Sequence, residues 1–407
     1  MARVRSRTNV GRRRRTQRSG VLPKRRSGGA ASRRQAKSRR LAHTPTRRRT
    51  HTRTRRRPGR PGGSTALRTE LLAAANALAS IRLEGRREGA AWRLRHPSGT
   101  PEELKAHVRR EWSARAKALQ PAASVPWLQI WRQAEAFGSG ALEGAGLAGG
   151  FAPIPLQGTA AAVLCASADS FALREVLGTL AVLPLDETIV VLGDAPESLY
   201  KSVREQAKEA LIVHYPHVLD ADVGRALGAK LAAADIVLFV DAAAPVPADA
   251  LGRFLWECDG RLDVALADLS SPKRLFHRRP ALHWWHEFLN LTLRRPDLKM
   301  NTLATLPFAL TRAALDAIGF ADLAVPVKAH TVALTKRLNV DAVVKLEVAP
   351  ARAGVEALQQ AAGDHIEAWG ALMPFRGARL GFPDRYRDRK AVGGVVNRAD
   401  LDPHSDE

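Results

Sequence analysis

The residues of this chain best able to do chemistry are a few acids that follow apolar runs. Asp241 closes VLFVD and is followed by three alanines, while Asp169 and Asp194 come after VLCA and TIVVLG. Carboxylates so placed can offer hard oxygen ligands to a divalent cation, accept hydrogen bonds from hydroxyl groups, or cap the next turn or helix. Arg225, directly after Gly224, sits where a helix begins; it can meet a phosphate as a fixed charge or simply face solvent. In AVPVKAHTVALTKRL, His330 is the one side chain that exchanges a proton near neutral pH, with a packed structural role as its other reading. Late in the chain, Asp364-His365-x-Glu367 could bring His365 to a metal, or Asp364 could cap the helix IEAWGALM after Gly363. His283, His286 and Glu287 in HWWHEF have the spacing of ligands on one helical face. Trp284 and Trp285 beside them favour a packed or stacking surface over a zinc site.

These residues need elements to position them, and the apolar pattern supplies them. Short runs alternate with helical ones: AAAVLCA, SFALREVLGTLAVL, ETIVVLG, ESLYKSVREQAKEAL, LIVHYP, VGRALGAKLAAA, DIVLFVD. This β-α-β rhythm predicts a mostly parallel sheet with crossover helices, whose ligand site lies beyond the carboxyl ends of the strands, where Asp169, Asp194 and Asp241 fall. RLDVALADL and AVVKLEV read as later strands, HWWHEFLNLTL as a helix, LATLPFALTRAALDAIG as a loop or strand then a helix, and VEALQQAAGDHIEAWGALM as a closing helix. Upstream, Leu67, Leu71, Leu78 and Ile81 recur at helical spacing, and Thr100-Pro-Glu-Glu103 opens a second helix as a capping box. Trp127, Leu128, Ile130 and Trp131 are expected to dock this helical region, 64–137, onto the α/β domain, 153–375. GSGALEGAGLAGG, within 138–152, reads as a flexible linker. The end, 376–407, is polar and irregular.

The net charge of +24 is local. Residues 1–62 hold 22 Arg and 2 Lys with no acid, which leaves 40 basic against 40 acidic residues in the rest. Such a segment repels itself and has almost nothing to bury, so 1–63 is expected to be a disordered tail that attaches the protein to a polyanion such as nucleic acid or another anionic surface. Cys165 and Cys258 lie far apart in apolar contexts, which argues for a reducing compartment without a disulfide framework. No run of eighteen apolar residues and no apolar signal region occurs, so the expectation is a cytoplasmic protein without a transmembrane segment.

With these elements in place, 160–348 resembles a family-2 glycosyltransferase domain of GT-A fold. VLCASADSFALREVLGTL lies without a gap under that family's opening pattern, V-I-P-x-Y-N-E then L-x-x-V-L-x-S-L. Asp169 falls on its acid, Ala168 on its asparagine and Cys165 on its proline. The stretch GRALGAKLAAADIVLFVD is similar to the block G-x-x-x-A-x-N-x-G-x-x-x-A-x-G-x-x-x-x-F-x-D, and LATLPFALTRAALDAIG to the segment before the catalytic loop. The family's second strand ends V-V-D-D-G-S, whereas here Leu192 and Gly193 hold the acid positions and Asp194 comes one step late.

The resemblance implies a nucleotide-sugar donor held through Asp169, Asp194 and Asp241, with Arg225 able to reach the diphosphate. It also implies a divalent cation, Mn or Mg, on a D-x-D pair. Asp241 matches the first acid of that pair and Ala243 the second, so the cation is expected to be weakly required or absent, with Asp241 and His365 as its candidate ligands. The family's acceptor base comes from an E-D pair, and the matching stretch has no acid, which leaves His330 as the candidate base. Three functions stay open: a hexosyltransferase-type enzyme with an unidentified acceptor, an inactive GT-A domain that binds or scaffolds, and a nucleic-acid-binding protein that works through its arginine tail.

Because the tail carries the whole net charge, deleting residues 1–62 is expected to abolish salt-sensitive retention on DNA or RNA and to leave Tm nearly unchanged. Undiminished retention by the truncated chain across a salt titration would refute this.

Overall fold

The computed structural model describes residues 63–119, 125–168, 170–270, 279–346 and 354–384, with the backbone alone for 63–71 and 117–119. The basic tail, Asp169 and the end from 385 lie outside the described residues, and so do the expectations that fall on them. Among the described residues no helix is long and apolar enough to cross a membrane.

Three helices come first: α1 (Gly63–Arg95), α2 (Pro101–Leu119) and α3 (Trp127–Gly144). The start of α2 is the expected capping box. The Thr100 amide donates to Glu103 Oε2 at 2.8 Å, and the Glu103 amide donates to Thr100 Oγ1 at 3.2 Å. The expected flexible linker, by contrast, is corrected. Gly138, Gly140, Ala141 and Leu142 are buried in the last turns of α3, and only the residues after Gly144 leave the helix. Gly138 lets Phe151 and Pro153 pack against the helix, and Gly140 and Gly144 are there for backbone contact between α1 and α3. A Cβ at Gly89 would fall 1.9 Å from the Ala141 carbonyl oxygen, and one at Gly140 would fall 2.2 Å from that of Arg82. Small residues that look flexible by composition are small here because two helix backbones touch.

The alternating segment then builds β1 (Ala160–Ala166), α4 (Leu173–Leu180), β2 (Glu187–Gly193), α5 (Glu197–Gln206) and β3 (Leu211–Tyr215). It continues with α6 (Ala221–Leu231), β4 (Ile236–Asp241), α7 (Ala248–Cys258) and β5 (Val264–Asp268). After α8 (Ala281–Thr292) come β6 (Phe308–Thr311), α9 (Arg312–Ile318), α10 (Phe320–Leu323), α11 (Pro326–Thr335), β7 (Val340–Lys345) and α12 (Val355–Arg376). The seven strands lie in the order β3-β2-β1-β4-β6-β5-β7, with β6 antiparallel to both its neighbours and every other pair parallel. This is the mostly parallel α/β sheet with crossover helices that the sequence predicts.

Both faces of the sheet are covered, as parallel strands require. Ala160, Ala162 and Leu164 of β1 face one layer with Val190, Leu238, Phe254 and the helical region's Trp112, Trp131 and Phe137. Ala161 and Val163 face the other, with Ala229, Phe239, Phe308 and Leu315. The described residues belong to one compact unit, so the first three helices share the sheet's core. Trp127 and Trp131 make the expected docking contact, with Trp127 Nε1 donating to the Asp249 carbonyl oxygen at 3.1 Å and its ring 6.3 Å from that of Trp256. Leu128 of the same run stays exposed.

The helix contact has a signed test. Gly89→Ala and Gly140→Ala are each expected to lower unfolding free energy by about 1–3 kcal/mol, because the α1 and α3 backbones must separate. Gly178→Ala, on α4 with open space around it, is expected to raise it by about 0.5–1 kcal/mol. Urea unfolding followed by circular dichroism checks all three; a common sign would contradict the packing.

Candidate functional site

Chain direction across the sheet reverses at β1. From β1 the chain moves outward through β2 to β3, then returns to place β4 on the other side of β1. Diverging connections leave a crevice outside the carboxyl ends of the two strands at such a point. Here Cys165 of β1 pairs in register with Asp241 of β4, and a cavity of about 350 Å³ opens there, lined by Cys165, Arg225, Asp241, Val246, Leu306 and Pro307 among others.

Asp241 is exposed at this mouth, and its Oδ1 accepts from the Ala243 amide at 2.8 Å. It caps its own turn with one oxygen and lines the cavity as well. Arg225, on the first turns of α6, is 8% exposed; its Nε donates to the Ala221 carbonyl oxygen at 3.3 Å and its guanidinium pairs with Asp222. Burial lowers its pKa from the ordinary value, and Cys165, Asp220 and Asp241 work in the opposite direction. Burial pushes the Cys165 thiol up to about 12, so it is a neutral wall group and no nucleophile. Gly224 is required here, because a Cβ would fall 2.7 Å from the Cys165 sulfur and hold α6 off the strand end.

The other expected site residues do not join this cavity. Asp194 is exposed at the end of β2 with φ +45°, its amide donating to the Tyr215 carbonyl oxygen at 3.1 Å, and it is not among the lining residues. His330, the candidate base, lies in the core of α11 with no exposed surface, Nε2 against Asn290 Oδ1 at 2.8 Å. Burial first, and the nearby Arg295 charge second, push it down to about 3. A ring so enclosed and so weakly basic is not placed to take a proton from an acceptor.

His365 is 1% exposed, its Nδ1 2.6 Å from the Ala361 carbonyl oxygen and its ring stacked on His286 at 5.3 Å. It lines a second cavity, of about 250 Å³, together with Asp220, Asp222, His286, Gln360 and Asp364. Asp364 is inside α12, nine residues past its start, so it does not cap the helix as expected; burial raises its carboxyl above the ordinary carboxylate value. Asp241 and His365 thus line different cavities. Among the described residues no three His, Cys, Asp or Glu side chains converge to hold a metal ion. The first cavity offers one carboxylate, half engaged by its own backbone, beside a guanidinium. That donor set does not fit a divalent cation, which takes several oxygen ligands.

Sequence reasoning missed Asp220 and Asp222. Asp220 Oδ1 caps α6 by accepting from the Asp222 amide at 2.8 Å, and Asp222 holds Arg225. The pattern Asp-x-Asp-x-x-Arg at a helix start was their available signal.

No protein-family model matches the sequence, and no curated protein does. Among solved structures, the chain is similar to glucosyl-3-phosphoglycerate synthase from Mycobacterium tuberculosis in complex with uridine diphosphate. The identity is 15% and the TM-score 0.43, over 56% of this chain and 82% of that one. The same enzyme with Mn2+, uridine-diphosphate-glucose and phosphoglyceric acid gives 16% identity and a TM-score of 0.40, over 56% and 82%. Mannosyl-3-phosphoglycerate synthase from Rubrobacter xylanophilus gives 14% and 0.41, over 56% and 76%.

The buried histidines make stability depend on pH. His286 and His330 are each pushed from 6.5 to about 3, chiefly by burial, so below 6.5 the unfolded chain binds more protons than the folded one. Their contribution is complete above 6.5 and is lost as pH falls toward 3. The unfolding free energy from urea titrations is expected to drop between pH 6.5 and 5, by about 1 kcal/mol per pH unit per histidine, with a shallower slope in His330→Gln. Midpoints that stay level over this window would contradict the burial.

Proposed function

We propose that this chain is a glycosyltransferase-type protein that binds a nucleotide-sugar donor in the cavity between the ends of β1 and β4. The observation that carries this reading is the place of that cavity: it lies where the strand order reverses, with a buried arginine and an exposed carboxylate at its wall. Arg225 would offset diphosphate charge in the role the resemblance gives to a metal, and its tie to Asp222 keeps the guanidinium fixed. Asp241 would accept from ribose or sugar hydroxyls through the oxygen its turn leaves free. The arginine tail would attach the protein to a polyanion.

A second reading is favoured by the enclosure of His330 and the single carboxylate of the first cavity. On it, the same cavity binds the nucleotide without transfer, and the domain serves as a binding or scaffold unit.

Asp241→Asn separates donor binding from turn capping. The amide oxygen still accepts from the Ala243 amide, so Tm is expected to stay level, while affinity for uridine-diphosphate-glucose falls about tenfold with the lost charge. The tail attracts any nucleotide, so the comparison is calorimetric, wild type against variant in the same full-length chain at the same salt. Equal affinities would remove Asp241 and this cavity from the donor site. Release of sugar to an acceptor by the wild type would decide for the enzyme over the binding domain.

A further inference from the structure

The second cavity is half apolar, and its polar side chains, Asp220, Asp222, Asp364, His286, His365 and Gln360, are mostly hydrogen-bond acceptors. His365 carries its proton on Nδ1, which faces the Ala361 carbonyl oxygen at 2.6 Å, so its buried Nε2 holds a lone pair with no partner. His286, 6% exposed and stacked on it, is hydrogen-bonded to the Met300 backbone and leaves Nδ1 unpartnered. Among the described residues the carboxylate of Asp364 has no hydrogen-bond and no ion-pair partner. That of Asp220 accepts from the Asp222 amide at 2.8 Å and from Gln360 Nε2 at 3.2 Å. Asp222 is held by Arg225, which faces the other cavity. Among the lining residues there is no lysine and no arginine.

Two buried imidazole lone pairs without donors are costly to leave unmade, and carboxylates nearby add negative potential. A ligand that satisfies them brings donors and positive charge. A bare metal ion needs at least three of these side chains gathered within coordination distance, and among the described residues no such group exists.

We propose that this cavity binds a small hydroxylated amine, its ammonium group received by the Asp364 carboxylate and the unpartnered nitrogens of His365 and His286. The cavity adjoins the donor cavity: Ala304 lines both, and the Asp222–Arg225 pair links their walls. Its assignment as the acceptor's place rests on the transferase reading above; its preference for a cation does not. An anionic acceptor such as a phosphorylated carboxylic acid would meet Asp220 and Asp364 with no positive side chain in the lining to offset them.

The test is calorimetric titration of the full-length chain at pH 7 with glucosamine and ethanolamine against their N-acetylated forms, with and without uridine diphosphate. The amines are expected to bind about tenfold more tightly than the N-acetyl forms. Asp364→Asn is expected to erase that preference at unchanged Tm. Equal binding of amine and N-acetyl forms, or a preference that survives Asp364→Asn, overturns the proposal. So does tight Zn2+ binding that His365→Ala abolishes, which would assign the cavity to a metal. Amine preference in a chain that fails to bind uridine diphosphate would sink the transferase reading and keep the cation site. Nucleotide binding with no amine preference would do the reverse.

Discussion

The pairing of β1 with β4 is the constraint from which the rest follows. Both strands are buried on both faces, so their side chains are almost all apolar and their polar work is confined to the two ends. At the carboxyl ends the chain departs in opposite directions, and no helix can fill the space left between the departures. Asp241 and Cys165 face each other across that gap because the register puts them there. Arg225 reaches it because Gly224 lets α6 lie close against the end of β1. The cavity between these strand ends is thus a by-product of topology, and its chemistry is set by very few residues.

The second cavity has a different origin. It forms where α12 and α8 meet the start of α6 and α11, and its polar character comes from imidazoles packed into an apolar seam with Leu289, Val327 and Leu372 nearby. Burial favours the neutral form of His286 and His365, which turns each ring into one donor and one acceptor. The donors are spent on the Met300 backbone and the Ala361 carbonyl oxygen, and the acceptors are left over. Neutral histidines and acids line this cavity, whereas the cavity it adjoins sets the Arg225 guanidinium beside the Asp241 carboxylate.

The amino-acid sequence by itself determined the strands and most of the helices, because burial periodicity is local: AAAVLCA, ETIVVLG and DIVLFVD end within a residue of β1, β2 and β4. It also determined the start of α2, since a capping box is closed by residues three apart. Asp241 was legible as a cavity residue because a parallel sheet exposes its strand ends. Only the tertiary structure decided what Gly140 and Gly144 do, since their role depends on a helix more than fifty residues upstream. It likewise decided that His330 is enclosed by α8 and that Asp364 and His365 join His286 and Asp220 at one cavity. Those encounters bring together residues far apart in the chain, and no local pattern encodes which of many histidines and acids will meet once the helices are packed.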